Sequence, residues 1–142
     1  MKKLLFLLTA TLCVAFVKAQ KLQQKEVPLK VKAALKQKFP DASHIKWEKE
    51  DQNFEAGFKS GTTHSSVLFN ATGDILETET AIAASDLSNS IKQYIQKNYP
   101  GKKIKEAASI TDAKGVVTYE AEVSNLDLIF NSNGEFIKEI KK

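Results

Sequence analysis

The chain has 142 residues, with 21 lysines, no arginine, 17 acidic residues, two histidines and one cysteine. That length suffices for one domain with a packed core. Arginine is the favoured bidentate reader of phosphate and guanine, so its absence argues against nucleic-acid recognition, and a lone cysteine excludes a disulfide within the chain.

Residues 1–19 read as a signal peptide. Lys2 and Lys3 form a positive start, Leu4 to Val17 an apolar run, and Val17-Lys18-Ala19 offers small residues where signal peptidase reads, placing cleavage before Gln20. The run is shorter than the roughly 20 residues of a transmembrane helix. Cys13 would suit lipid attachment only after a small residue, and Leu12 precedes it. Removing the segment takes away Lys2, Lys3, Lys18 and Cys13 but no acid, leaving 18 lysines against 17 acids. The expectation is an exported, nearly neutral domain, periplasmic or secreted, with no stable membrane insertion and a core that works without disulfides.

Residues 20–26 are polar and unpatterned, and read as a flexible leader. From Val27 the apolar residues Val31, Ala34, Leu35 and Phe39 form one stripe of an amphipathic helix, with Pro28 in its first turn and Pro40 as its stop. Lys30, Lys32, Lys36 and Lys38 fall mainly off the stripe, on a solvated face. Four short strands follow, Ile45–Glu50, Phe54–Lys59, Ser65–Asn70 and Ile75–Thr80, separated by turn-forming triplets such as Ser60-Gly61-Thr62. After a link at 81–86, a second helix begins near Leu87 with Asp86 as its expected N-cap and Pro100 as its stop. Strands Ile104–Thr111, Val116–Ser124, Leu126–Asn131 and Glu135–Ile140 complete the chain.

The two series are copies. Val27, Val31, Leu35, Phe39 and Pro40 are answered sixty positions later by Leu87, Ile91, Ile95, Tyr99 and Pro100, and Phe54-Glu55-Ala56 returns as Tyr119-Glu120-Ala121. The fold class expected is α+β, a tandem repeat of one helix plus a four-stranded antiparallel meander, spanning 27–80 and 87–142 in one compact unit. Strand alternation puts Phe54, Ala56 and Phe58 on a greasy face and Glu55, Gly57 and Lys59 on a wet one. Both helices would pack on the greasy side. Joining the two sheets edge to edge would cover two exposed edges.

Catalytic chemistry finds little support. His44 and His64 lack the spacing of a zinc pair, and no nucleophile elbow, phosphate loop or calcium loop occurs. Asp41, Asp51, Asp74, Asp112 and Asp127 read mainly as turn residues. No catalytic residue, metal ligand or cofactor is assigned. Carboxylates do project from strands, and the candidate binding residues are Glu48, Glu55, Lys59, Glu77, Glu79, Glu120 and Glu122. Cross-strand Glu–Lys pairs on a solvated face would account for them, each contributing about 0.2–1 kcal/mol. So would an acidic platform for an envelope protein or peptide or, alternatively, for a small ligand or cation. Trp47, paired by the repeat with Ala107, shares parity with Ile45 and reads as core; a contact-surface anchor is the other possibility.

These residues resemble the PepSY-like, beta-lactamase-inhibitor-like family of secreted Bacteroidota proteins. The resemblance rests on Val27-Pro28, Lys38-Phe39-Pro40, Ile45-Lys46-Trp47-Glu48, Phe54-Glu55-Ala56, Val67-Leu68-Phe69, Gly73-Asp74-Ile75-Leu76-Glu77-Thr78-Glu79, Asn98-Tyr99-Pro100, Thr118-Tyr119-Glu120-Ala121-Glu122 and Phe130. It implies a tandem α/β unit without catalytic residues, whose sheet is like that with which beta-lactamase inhibitory proteins grip an enzyme. Gly57 departs from the family's Y-E-A-E-F pattern by removing the second acid of the first copy, while Glu122 keeps it in the second.

Overall fold

The computed structural model describes residues 20–142, so the expected signal peptide lies outside the described residues. Helix α1 (Leu29–Lys38) and helix α2 (Asn89–Asn98) form where the apolar stripes are, and bury Val31 and Leu35, and Ile91 and Ile95. Each ends one residue before the Phe39-Pro40 or Tyr99-Pro100 pair, where the Phe39 and Tyr99 N–H groups donate to Leu35 and Ile95 O at 2.8 Å.

The strands are β1 (Gln20–Leu22), β2 (Ser43–Glu50), β3 (Asn53–Ser60), β4 (Thr63–Phe69), β5 (Ile75–Ile82), β6 (Ile104–Asp112), β7 (Val117–Val123), β8 (Leu126–Asn131) and β9 (Phe136–Lys141). They form one antiparallel sheet in chain order, and β5 pairs with β6 from Glu77↔Asp112 to Ile82↔Ala107. The order of one helix and four strands thus occurs twice within a continuous nine-stranded sheet.

Directly paired residues share a face, so the register assigns sides. Trp47, Ala56, Val67 and Thr78 line up on one side, as do Ile82, Ala107, Ala121 and Leu128. Both helices pack on this side, over two clusters of buried residues: Val31, Leu35, Trp47, Phe54, Phe58 and Phe69 in the first, and Ile91, Ile95, Val123, Leu128 and Phe130 in the second. Trp47 is 6% exposed and lies 6.3 Å from Phe69, ring to ring, so it belongs to the core. The opposite side of the sheet carries no layer among the described residues.

Four expectations need correction. Residues 20–26 are not a free leader: β1 adds to the sheet edge, Leu22 opposite Trp47, and a 3₁₀ turn follows at Gln24–Glu26. A three-residue strand is too short to show a period of two. The link at 81–86 is largely absorbed, since β5 runs on to Ile82 and a 3₁₀ turn occupies Ala84–Asp86. Pro28 sits at the N-cap of α1, ahead of its first turn. Asp86 does not cap α2; Ser88 does, its hydroxyl accepting from Ile91 N at 3.4 Å, while Asp86 accepts from Ala83 N at 3.3 Å. Either side chain satisfies an orphan N–H, and the extra 3₁₀ turn decides which one reaches the helix.

Candidate functional site: the open face of the sheet

Alternation along β2 to β8 sends one residue in two away from the helices, and that outer face gathers all seven residues singled out from the sequence. Cross-strand register orders them into rows. One row runs Lys21, Glu48, Glu55, Leu68, Glu77, Asp112, with Lys21 opposite Glu48 but not ion-paired to it. The next runs Ser66, Glu79, Ile110, Thr118. A third runs Ala81, Ala108, Glu120, Ile129, and a fourth Glu106, Glu122, Asp127, Ile140. Lys59 stands nearer the rim, opposite His64.

The rows differ from a solvated Glu–Lys surface in two respects. Like charges stand directly opposite one another at Glu48–Glu55, Glu77–Asp112, Glu106–Glu122 and Glu122–Asp127, an arrangement that costs stability. Ion pairs among the described residues are confined to one corner: Lys142 Nζ lies 2.6 Å from Glu122 Oε2 and 3.2 Å from Asp127 Oδ1, and Lys105 Nζ lies 3.7 Å from Glu122 Oε1. Lys105 also donates to Ser124 O at 2.6 Å. Glu48, Glu55, Glu77, Glu79 and Glu120 have no such partner among the described residues. The cross-strand Glu–Lys pairs expected on a solvated face are therefore largely missing, and Lys59 pairs with none of the acids.

Aliphatic residues sit between the acids. Ala108 and Ile129 are 5% and 7% exposed although they face away from the helices, and Leu68 and Ile110 are half-buried. Sequence reasoning missed them. The available signal was three apolar residues in succession, Val67-Leu68-Phe69 and Leu128-Ile129-Phe130, whose middle member must point to the outer face. Asp127, inside the expected strand Leu126–Asn131, lies within β8.

On this mixed floor Glu50, Glu77, Glu79 and Glu120 hold their protons more tightly than free carboxylates do. Burial, reinforced by the charges of Asp127 and Glu79, pushes Glu120 from its ordinary 4.5 up to about 7, against the lowering pull of Lys142. Burial also raises Glu79, with Glu55, Glu77 and Asp127 adding to it, and raises Glu77 and Glu50. Glu122 goes the other way, lowered chiefly by its hydrogen bond from Lys142. Glu79 and Glu120 border a hollow of about 520 Å³, shared with His64, Ser66, Lys105, Glu106 and Ala108, where the two halves of the sheet meet. No three His, Asp or Glu side chains converge as a metal site among the described residues, and His44 stands apart at the Ser43–Lys46 bulge. A surface of aliphatic floor and unpaired carboxylates is suited to contact with a partner.

The comparisons with known proteins point the same way. The family model described as "Putative beta-lactamase-inhibitor-like, PepSY-like" matches residues 14–63 and 52–138. The chain belongs to the PepSY-like family. Solved structures with this fold include a Bacteroides eggerthii protein described as "putative periplasmic" (TM-score 0.74, 15% identity, 81% of this chain and 88% of that one). Two others are a DUF2874 family protein of Bacteroides uniformis (TM-score 0.72, 19% identity, 80% and 88%) and a BLIP-like protein of Bacteroides fragilis (TM-score 0.66, 21% identity, 79% and 84%). At these identities the likeness is one of fold. No curated protein matches the sequence. The family's description is inhibitor-like and not catalytic, in keeping with the character of the face.

Proposed function

We propose that this PepSY-like protein is an exported, non-enzymatic binding module that docks an envelope protein, an enzyme or protease that it restrains, on the open face of its sheet. The observation that carries this reading is the open face itself: buried aliphatic side chains and unpaired carboxylates share a surface that nothing among the described residues covers. A face kept only for solubility would pair those acids with the lysines that share it, yet ion pairs among the described residues reach only Glu122 and Asp127. The family's inhibitor-like description and the periplasmic description of the Bacteroides eggerthii relative support the partner class and the compartment. The signal expected at 1–19 agrees with them. The paired order of helix and four strands supports reading 27–80 and 87–142 as copies of one unit.

The test is affinity capture from envelope extract with tagged residues 20–142, beside a Glu79→Lys/Glu120→Lys variant of verified fold. A protein enriched by the native form and lost with the variant is the expected result. Capture that is equal for both forms would remove the open face from the account.

A further inference from the structure

The chemistry of the open face also specifies what fits it. A surface that desolvates a partner gains most where buried apolar area and unpaired charge are answered together, since each uncompensated charge at a contact costs affinity. On this face the two alternate: Leu68 lies between Glu55 and Glu77, Ile110 beside Glu79, and Ile129 beside Glu120. One corner shows how the face accepts a cation. The Lys142 ammonium lies across two strands, donating to Glu122 at 2.6 Å and standing 3.2 Å from Asp127, whose Oδ1 is buried without a hydrogen bond of its own. The acids of the neighbouring rows have no such ammonium of their own among the described residues.

Resting on the reading above, we propose that the partner presents a basic amphipathic segment, its lysines or arginines seated at Glu77, Glu79 and Glu120 as Lys142 is at Glu122, and its aliphatic side chains on Leu68, Ile110 and Ile129. The hollow of about 520 Å³ beside Glu79 and Glu120 has room for a long cationic side chain. Docking responds to pH. A cation binds the ionised carboxylates, and Glu120, facing Glu79, Glu122, Asp127, Lys142, Lys138 and, around the hollow, His64, Lys105 and Glu106, titrates near 7. Binding strengthens as pH rises from 5.5 to 8.

The experiment titrates isotope-labelled residues 20–142 with acetyl-Lys-Val-Lys-Val-Lys-amide, and follows backbone amide shifts by NMR at pH 5.5 and pH 8. Controls are the Glu-Val-Glu-Val-Glu and Lys-Ser-Lys-Ser-Lys peptides. The expected result is perturbation confined to β4–β8, with binding weaker by about fivefold at pH 5.5, by about fivefold in Glu79→Gln/Glu120→Gln, and for both controls. The Glu120→Gln variant should also lose most of the pH dependence. Three outcomes overturn the proposal: perturbation on the lysine-bearing helices, equal binding of all three peptides, or concentration-dependent sedimentation abolished by Glu79→Gln/Glu120→Gln, which would make a second copy the occupant. If a captured protein contacts the open face while the lysine–valine peptide does not bind, the basic-segment inference falls and the binding-module reading stands. If the peptide binds there and no envelope protein does, the binding-module reading falls.

Discussion

Lys142 donates to Glu122 across the end of the sheet at 2.6 Å, so that the acid continuing the strand pattern of Glu120 is already engaged within the molecule. Two carboxylates two residues apart on β7 therefore behave oppositely. Glu122 is held below its ordinary 4.5 by Lys142, and Glu120 is pushed above it by burial. Removing the lysine should undo half of that contrast. In Lys142→Ala the Glu122 midpoint should move upward, as read by carboxyl-carbon NMR titration, while Glu120, relieved of a cation, should not fall.

Glu120 should cost stability when charged. Its folded value, near 7, lies above that of the unfolded chain, so its contribution is fully present below about pH 4.5 and is lost as pH rises through 7. Half-exposure screens the effect to on the order of 1 kcal/mol. Glu120→Gln should accordingly be more stable than the native protein at pH 8 by about that amount, and equal to it at pH 4. Urea unfolding at the two pH values checks this. A stabilising change at a binding face is what a trade of stability for function produces.

Gly73 turns the chain between β4 and β5 directly beneath α1. Its φ is +92°, and a Cβ there would stand 2.9 Å from the backbone oxygen of Lys30. Gly73→Ala should cost about 2–3 kcal/mol, combining left-handed strain with displacement of the helix. Gly101 has a φ of +74° with open space around it, so Gly101→Ala should cost only about 1 kcal/mol. Denaturation of the two variants side by side separates the terms.

Trp47 reports on the first core. Buried against Phe69, it should emit at short wavelength in the folded protein, resist acrylamide quenching, and shift to the red on unfolding. Trp47→Ala should destabilise by about 3–5 kcal/mol, and its repeat counterpart Ala107 offers no such handle.

Much of this fold was legible because its signals are long. The helix stripes extend over three turns before Pro40 and Pro100, and Phe54-Ala56-Phe58 and Val117-Tyr119-Ala121-Val123 alternate cleanly. Short or competing signals failed: three residues made β1, and Ser88 won over Asp86 by a turn not written in the pattern. For the site, the acids were readable and their unpaired state was not, because lysines share the face, as Lys21 opposite Glu48 does, and only the side-chain geometry shows which acids they reach. The aliphatic floor was hidden within apolar runs attributed wholly to the core.

The claim that most needs a direct measurement is that the partner sits on the open face. A photo-crosslinking residue placed at Ser66, between Gly57 and Glu79 on that face, can be compared in intact cells with one at Lys36 on α1. The account predicts a discrete adduct from Ser66 that disappears with Glu79→Lys/Glu120→Lys, and none from Lys36. An adduct formed from Lys36 alone would contradict it and move the contact to the helical side.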